Sequence, residues 1–173
     1  MRAILDVTVG ELMSKSVITV TPETGIDELL ERFIEHDVNA FPVVSDVGAL
    51  LGVVSRLDLF RLYLLPYRPF IPVLEDTWVS SVGAIMSRAV VALYPKEPAL
   101  RAVALMVEHG IRTIPIVDDT LAGVTVIGVV TRRDLTTALL DEKVCRMTGT
   151  VNLEPLMRAF ASRTAKTSGP SAA

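Results

Sequence analysis

Apolar and polar residues follow two spacings along the chain, and each spacing predicts one kind of element. Residues 17–20 are mostly β-branched and lie between Ser16 and Pro22, which predicts a short strand. After Thr24, a residue suited to cap a helix, apolar side chains recur every three or four positions, as on one face of a helix. These apolar positions are Ile26, Leu29, Leu30, Phe33 and Ile34.

Shorter apolar runs follow this helix and predict a hairpin. Residues 41–44 and 50–54 are largely valine and leucine, and residues 45–48 between them have the composition of a turn. Helix-favouring residues resume at Ser55. A short helical segment at residues 9–13 precedes the first strand, and we expect it to complete the same unit. The order is therefore strand, helix, strand, strand, helix.

The whole pattern occurs twice. Met13 and Met86 lie 73 residues apart in matching sequence, and residues 52–58 match residues 128–134 at an offset of 76. We expect the three additional residues to lengthen a loop within residues 118–126, where the composition is at first loop-like. The second copy is predicted to have a helical segment at 82–86, strands at 90–93, 114–117 and 126–130, and helices at 98–109 and from 131.

Composition narrows the classes of protein to which the chain can belong. Half of the 173 residues are apolar, yet no apolar run of about 18 residues is free of charge and proline, so we predict no membrane span. The net charge of −3 lacks the basic excess that nonspecific nucleic-acid binding requires. Cys145 is the only cysteine, so no internal disulfide can form. The first residues do not resemble a signal peptide, and we expect a cytoplasmic protein.

The segment between the two copies is apolar but contains prolines that prevent a regular helix. Repeat 1 is assigned to residues 8–63, this linker to 64–79 and repeat 2 to 80–141. The linker is interpreted as a strap packed on the domain surface, or else residues 64–77 form a contact patch for a protein partner. In the tail, residues 142–173, we expect a short helix followed by a disordered end.

Three features of each copy resemble the CBS domain. A Met-Ser pair precedes the first strand, an apolar residue and a proline open the second strand, and Gly-x-x-Ser/Thr-x-x-Asp leads from the third strand into the last helix. Two copies in tandem resemble the CBS pair, or Bateman module, over residues 8–141. The resemblance implies an α+β fold in which two β-α-β-β-α repeats pack pseudo-symmetrically through their small sheets. It also implies a stand-alone regulatory protein and no enzyme, and no P-loop or nucleophile elbow is present in the sequence.

The Ser/Thr-x-x-Asp motif has two interpretations. Ser55 with Asp58, and Thr131 with Asp134, have the spacing of a capping box, in which each pair would only close the start of a helix. A helix N-terminus also suits phosphate, and adjacent arginines add positive charge. By resemblance to CBS pairs, the aspartate would take the two ribose hydroxyls and the serine or threonine would contact ribose or phosphate.

The resemblance further implies that each ligand site combines the motif of one repeat with a purine slot from the other. The slot would be formed by the first strand and by the residues up to the following proline. One implied site comprises Ser55, Arg56, Asp58, Val91, Ala92, Arg112, Thr113, Ile114 and Pro115. The other comprises Ile18, Thr19, Asn39, Ala40, Phe41, Pro42, Thr131, Arg132, Arg133 and Asp134.

These two predicted sites are not equivalent. Arg112 in one copy corresponds to the uncharged Asn39 in the other, so the site with Arg112 should better accommodate a polyphosphate. For Phe41 and Ile114 ordinary core packing is an alternative interpretation. His36 and His109 are expected to interact with helix C-termini and to bind no metal.

The resemblance implies a sensor of adenine nucleotides, AMP, ADP or ATP, with S-adenosylmethionine as a further possible ligand and no required cofactor. A homodimer is expected because the helical faces of such modules are apolar. The alternative is a structural or partner-docking module in which the motifs are caps alone.

Overall fold

The computed structural model describes residues 7–64, 80–121 and 123–141. The predicted linker strap and C-terminal helix therefore lie outside the described residues. Within these ranges no helix is long and apolar enough to cross a membrane. The elements are α1 (Val9–Leu12), α2 (Ile26–His36), β1 (Ala40–Val44), β2 (Leu50–Ser55), α3 (Arg56–Leu64), α4 (Val82–Ile85), α5 (Ala99–Glu108), β3 (Thr113–Thr120), β4 (Gly123–Thr131) and α6 (Arg132–Asp141).

Each repeat contains an antiparallel hairpin, β1 with β2 and β3 with β4. The predicted first strands are much shorter than expected. Only Val20 bridges Val43 in parallel, and only Leu93 bridges Ile116. Prolines explain the limit, because Pro22 and Pro42 lack the N–H groups that would extend the parallel ladder on either side of Val20. The strand–helix–strand–strand–helix order holds, with the first strand reduced to one bridging residue.

The helix for which Thr24 was the predicted cap is capped one residue later. Gly25 is the N-cap of α2, and the hydroxyl oxygen of Thr24 accepts a hydrogen bond from the Thr21 amide at 3.1 Å. The carbonyl of Thr24 accepts a hydrogen bond from Val82 N at 2.9 Å. Thr24 therefore closes the turn before the helix and joins it to the other repeat, and it does not cap α2.

The prediction of a longer loop in the second copy was wrong. The extra residues extend the hairpin, in which Asp118 pairs with Thr125 and Thr120 pairs with Gly123. The last three residues of β3 are exposed, so the polar composition that suggested a loop belongs to the solvated end of a hairpin. Gly123 adopts φ +106°, a conformation that favours glycine at the tight turn.

The initial helical segments do not complete their own repeats. Val9 of α1 lies in the core of the second repeat with Leu93, Ile114 and Val130, whereas Val82 of α4 lies in the core of the first. This contradicts the expectation that residues 9–13 and 82–86 complete the units in which they occur. The offset of 73 residues is the same for both arrangements, so the repeat pattern could not distinguish them.

Backbone pairing and close packing hold each crossed segment in place. Ser14 N donates to Val129 O at 2.9 Å, and Ser87 N donates to Val53 O at the same distance. A Cβ atom added at Gly128 would clash with the sulfur of Met13, so the methionine packs directly on the glycine backbone. The crossing therefore ties the two repeats together.

Candidate functional site

Both Ser/Thr-x-x-Asp motifs form the hydrogen bonds of a helix cap. Asp58 Oδ2 accepts from the Ser55 amide at 2.8 Å and from the Ser55 hydroxyl at 2.6 Å. Asp134 Oδ2 accepts from the amide and hydroxyl of Thr131 at 2.8 and 2.7 Å. The strand-to-helix junction therefore holds both aspartates in the same position relative to their helices.

The second carboxylate oxygen, Oδ1, distinguishes the two aspartates. Asp58 Oδ1 accepts a hydrogen bond from Arg61 Nη1 at 2.7 Å, and the Asp58 residue is only 7% exposed. At the offset of 76, the position of Arg61 corresponds to Thr137, which carries no charge. The aspartate of the first motif thus forms an ion pair within the first turns of α3. The aspartate of the second motif has no arginine at the equivalent position.

The arginines that follow the cap residues are directed to the ends of the preceding helices. Arg56 Nη2 donates to Phe33 O at 2.9 Å and to Asp37 Oδ1 at 3.1 Å, and its guanidinium lies 5.7 Å from the centre of the Phe33 ring. Arg132 donates to the carbonyls of Ile111 and Gly110 at 3.1 and 3.2 Å. Both side chains are engaged in these helix-end contacts, where positive charge is favourable.

A cleft of about 500 Å³ lies between the two repeats at the start of α3. It brings together Ser55 and Asp58 of the first repeat with residues of the second that precede the hairpin and open β3. Its lining comprises Asn39, Ala40, Val53, Ser55, Leu57, Asp58, Phe60, Arg61, Ser87, Ala89, Val90, Val91, His109, Gly110, Ile111, Arg112, Thr113 and Pro115. Six residues of the first predicted site are among them: Ser55, Asp58, Val91, Arg112, Thr113 and Pro115.

Other predicted residues lie in the core beside the cleft. Ile114 has no exposed surface and Phe41 is 1% exposed. The ring of Phe41 packs on Phe33 with 4.7 Å between ring centres. Pro42 is also buried, and Ala92 and Arg56 are not among the cleft-lining residues. Core packing is therefore the role that the structure shows for Phe41 and Ile114.

The second predicted set is divided between different places. Asn39 and Ala40 line the first cleft, although the resemblance had assigned them to the other site. Thr19 lines a smaller depression with Glu28 and Arg32. Ile18 packs against the core of the first repeat, and Arg133 is exposed on α6. A site built around Thr131 and Asp134 stays a prediction.

Sequence reasoning missed one face of α3. Leu57, Phe60 and Arg61 line the cleft, and Leu57 and Phe60 are 58% and 63% exposed. Their spacing of three and four residues places them on one side of a helix, so that they extend from the Asp58 motif along the same wall. That spacing was visible in the sequence, but apolar residues such as Leu57 and Phe60 resemble core positions. Only the structure shows that the buried face of the helix contains Leu59 instead.

The cleft carries more positive than negative charge. Among the described residues that line it, Asp58 is the only acidic one, and Arg61 and Arg112 are both there, together with His109. Within the part of the chain that the structure describes, the guanidinium of Arg112 makes no hydrogen bond or ion pair. The electrostatics of the cleft therefore suit a ligand that offers a hydrogen-bonding group to Asp58 and an anion to the arginines.

Comparison with known proteins gives the same architecture. The chain matches the CBS domain family at residues 9–65 and 82–141. The chloroplastic CBS domain-containing protein CBSX1 of Arabidopsis thaliana is 28% identical over 157 residues, covering 79% of this chain. The chain spans 65% of the length of that relative. Relatives that carry the name homoserine O-acetyltransferase match over only 20% of their length.

Two solved structures share the fold. CBSX2 of Arabidopsis thaliana in complex with AMP is 30% identical, has a TM-score of 0.68, and is matched over 79% of this chain and 98% of that one. The CBS domain pair of protein MJ0100, in complex with 5′-methylthioadenosine and S-adenosyl-L-methionine, is 25% identical with a TM-score of 0.66 and the same coverage. With both of its repeats matched, the chain belongs to the CBS domain family as a tandem CBS pair.

Proposed function

We propose that this protein is a regulatory module that binds an adenine nucleotide in the cleft between its two repeats and changes conformation when it does so. The observation that carries the proposal is that Asp58 of the first repeat lines the same cleft as Val91 and Arg112 of the second. A ligand held there contacts both repeats, so its binding free energy depends on their relative position. Differential binding of this kind is what allows a ligand to shift a conformational equilibrium.

Each part of an adenine nucleotide has a counterpart in the cleft. A carboxylate accepts two hydrogen bonds at once and therefore suits the ribose diol, which would lie at Asp58. Apolar walls from Val90 and Val91 suit the faces of a purine, and Arg112 suits a phosphate. Two structural relatives bind adenosine-containing ligands, AMP in one and S-adenosyl-L-methionine with 5′-methylthioadenosine in the other. No catalytic step is needed for this role.

Isothermal titration with AMP, ADP, ATP and S-adenosylmethionine tests the proposal. We expect heat of binding for the nucleotides, and we expect Asp58→Asn to weaken AMP binding by about tenfold or more because a charge-assisted hydrogen bond is lost. Asp134→Asn is the matched control, since it makes the same change in the equivalent cap outside this cleft. Absence of heat at millimolar concentrations of all four ligands would refute the proposal.

The alternative is a structural or docking module that binds no nucleotide. The capping hydrogen bonds at both motifs favour it, because they account for Ser55 and Asp58 without a ligand. On this alternative Asp58→Asn and Asp134→Asn lower stability by similar amounts, about 0.5–2 kcal/mol for a helix cap, and neither alters any binding. Unequal effects of the two variants on AMP binding would exclude it.

Helices α2 and α5 suggest how two copies of the module would assemble. Ile34 of α2 and Val107 of α5 occupy equivalent positions in the two repeats and are 82% and 78% exposed. Contact between copies would remove these apolar side chains from water. We expect light scattering at micromolar concentration to give the mass of a homodimer, and Ile34→Lys with Val107→Lys to give a monomer. A monomeric mass for the unaltered protein would contradict this.

A further inference from the structure

Arg61 occupies the position at which a ribose would meet Asp58. Its Nη1 lies 2.7 Å from Asp58 Oδ1, and Asp58 Oδ2 already accepts from the amide and hydroxyl of Ser55. Both carboxylate oxygens therefore have partners before any ligand arrives. A diol that binds Asp58 has to compete with the arginine for Oδ1.

The arginine is free to move. The Arg61 side chain is 64% exposed, whereas that of Asp58 is 9% exposed, so breaking the pair requires movement of the long, solvated partner only. Water solvates the arginine end of the pair, and Asp58 keeps its two hydrogen bonds from Ser55 when the arginine leaves, so the fold does not prevent the exchange. Arg61 also lines the same cleft, so a side chain displaced from Asp58 remains beside the ligand.

We propose that Arg61 is an exchangeable counter-ion that selects for the 5′-phosphate of the ligand. It pairs with Asp58 when no ligand is bound, and it moves to the phosphate when the ribose diol takes its place on Oδ1. A phosphate compensates the arginine for the lost carboxylate, whereas an uncharged nucleoside or a sulfonium does not. The cleft thereby discriminates between nucleosides and nucleotides, and Arg112 supplies a second cation on the opposite wall. This inference rests on the proposed function.

The arginine three residues after the motif aspartate occurs in the first repeat only. At the offset of 76 residues the equivalent of Arg61 is Thr137, although the cap and the aspartate are present in both copies. The cap explains the aspartate in both copies but does not require a cation three residues later. Selection for an anion is therefore assigned to the cleft that contains Asp58.

Titration of adenosine and AMP into the full chain and its variants tests the exchange. We expect Arg61→Ala to weaken AMP binding by about tenfold and to leave adenosine binding unchanged or up to about threefold tighter, because the competitor for Asp58 is removed. The preference for AMP over adenosine should fall accordingly, and Arg61→Lys should retain most of it. Arg101→Ala is the matched control, since Arg101 of α5 forms a similar ion pair, at 3.0 Å, with Glu97 just before that helix.

The outcomes separate this inference from the proposed function. If the unaltered protein binds AMP but Arg61→Ala weakens adenosine and AMP equally, Arg61 is not selective and the inference is overturned. The same holds if Arg61→Ala changes neither affinity. If the unaltered protein binds neither adenosine nor AMP, the inference is overturned, and the proposed function fails as well only if ADP, ATP and S-adenosylmethionine also give no heat of binding. Thermal unfolding of each variant shows that the comparison is made between folded proteins.

Discussion

Asp58 and Asp134 occupy equivalent positions in the two repeats, and each accepts two hydrogen bonds from the cap residue three positions earlier. Their surroundings differ. Asp58 is nearly buried beside Arg61 and opens into a cleft that also contains Arg112, whereas Asp134 has the uncharged Thr137 at the position of Arg61. The comparison shows that duplication preserved the local device that starts a helix but not the charges around it.

This difference separates two roles that one motif can have. Capping depends on the hydrogen bonds between the motif residues, and the two bonds that each aspartate accepts differ by at most about 0.1 Å between the repeats. In the described residues only the Thr131 hydroxyl also accepts a bond from the amide of its aspartate, at 3.4 Å. Ligand recognition depends on what faces the aspartate from other elements, and there the repeats diverge. A Ser/Thr-x-x-Asp motif therefore indicates a ligand site only when a cleft with complementary charge lies in front of it.

Among the variants that compare the two repeats, we expect the largest effect at the glycines of α1 and α4, the two helices that each pack on the opposite repeat. A Cβ atom at Gly10 would lie 2.8 Å from Pro95 O and 2.9 Å from Pro95 Cβ, whereas at Gly83 the nearest distances, to Pro22, are 3.1 and 3.2 Å. The backbone must shift to accept a Cβ atom at Gly10, so Gly10→Ala should lower the free energy of unfolding by about 1–3 kcal/mol.

Gly83→Ala is the matched variant for this prediction, and we expect it to cost less than Gly10→Ala. Urea denaturation of both variants measures the difference. Equal losses, or a larger loss for Gly83→Ala, would show that the two crossings are packed alike and would remove this asymmetry from the comparison. The result also reports on the crossing itself, since neither glycine would approach these prolines if each segment packed on its own repeat.

The sequence was sufficient for the local fold. Element order, the two hairpins and the position of Ser55 at the start of a helix follow from hydrophobic period and turn composition, because these depend on neighbours in the chain. The resemblance also grouped Val91 and Arg112 with Asp58, and the three residues line one cleft in the structure. Their role in binding a ligand stays a prediction. The parallel strand at residue 20 was overestimated because β-branched composition does not show which amides prolines remove from the ladder.

What the sequence did not predict depends on contacts between the copies. An exact repeat looks the same whether α1 packs on the first or the second hairpin, so the crossing of Val9 into the second core was not visible. Asn39 was assigned to the site of Thr131 and Asp134, whereas in the structure it lines the cleft that contains Asp58. Arg61 was overlooked because a comparison of repeats draws attention to residues that match, and Arg61 has no match.

The arginines after the caps provide a smaller test of the comparison. Arg56 donates to Phe33 O and Asp37 and lies over the Phe33 ring, whereas Arg132 donates to two carbonyls and has no aromatic partner in the described residues. We expect Arg56→Ala to lower the free energy of unfolding by about 1–2 kcal/mol, and Arg132→Ala by about half as much. Urea denaturation measures both.

Titration of the same two variants with AMP decides between helix-end contacts and the phosphate role that was predicted for these arginines from their position beside a helix N-terminus. The geometry leads us to expect unchanged AMP affinity in both, because each guanidinium is held by carbonyls at the end of the preceding helix and neither lines the cleft. A loss of AMP affinity in Arg56→Ala without a loss of stability would instead mean that the guanidinium leaves Phe33 for the ligand. The two repeats would then differ in one more cation, and Arg61 would not act alone in selecting the phosphate.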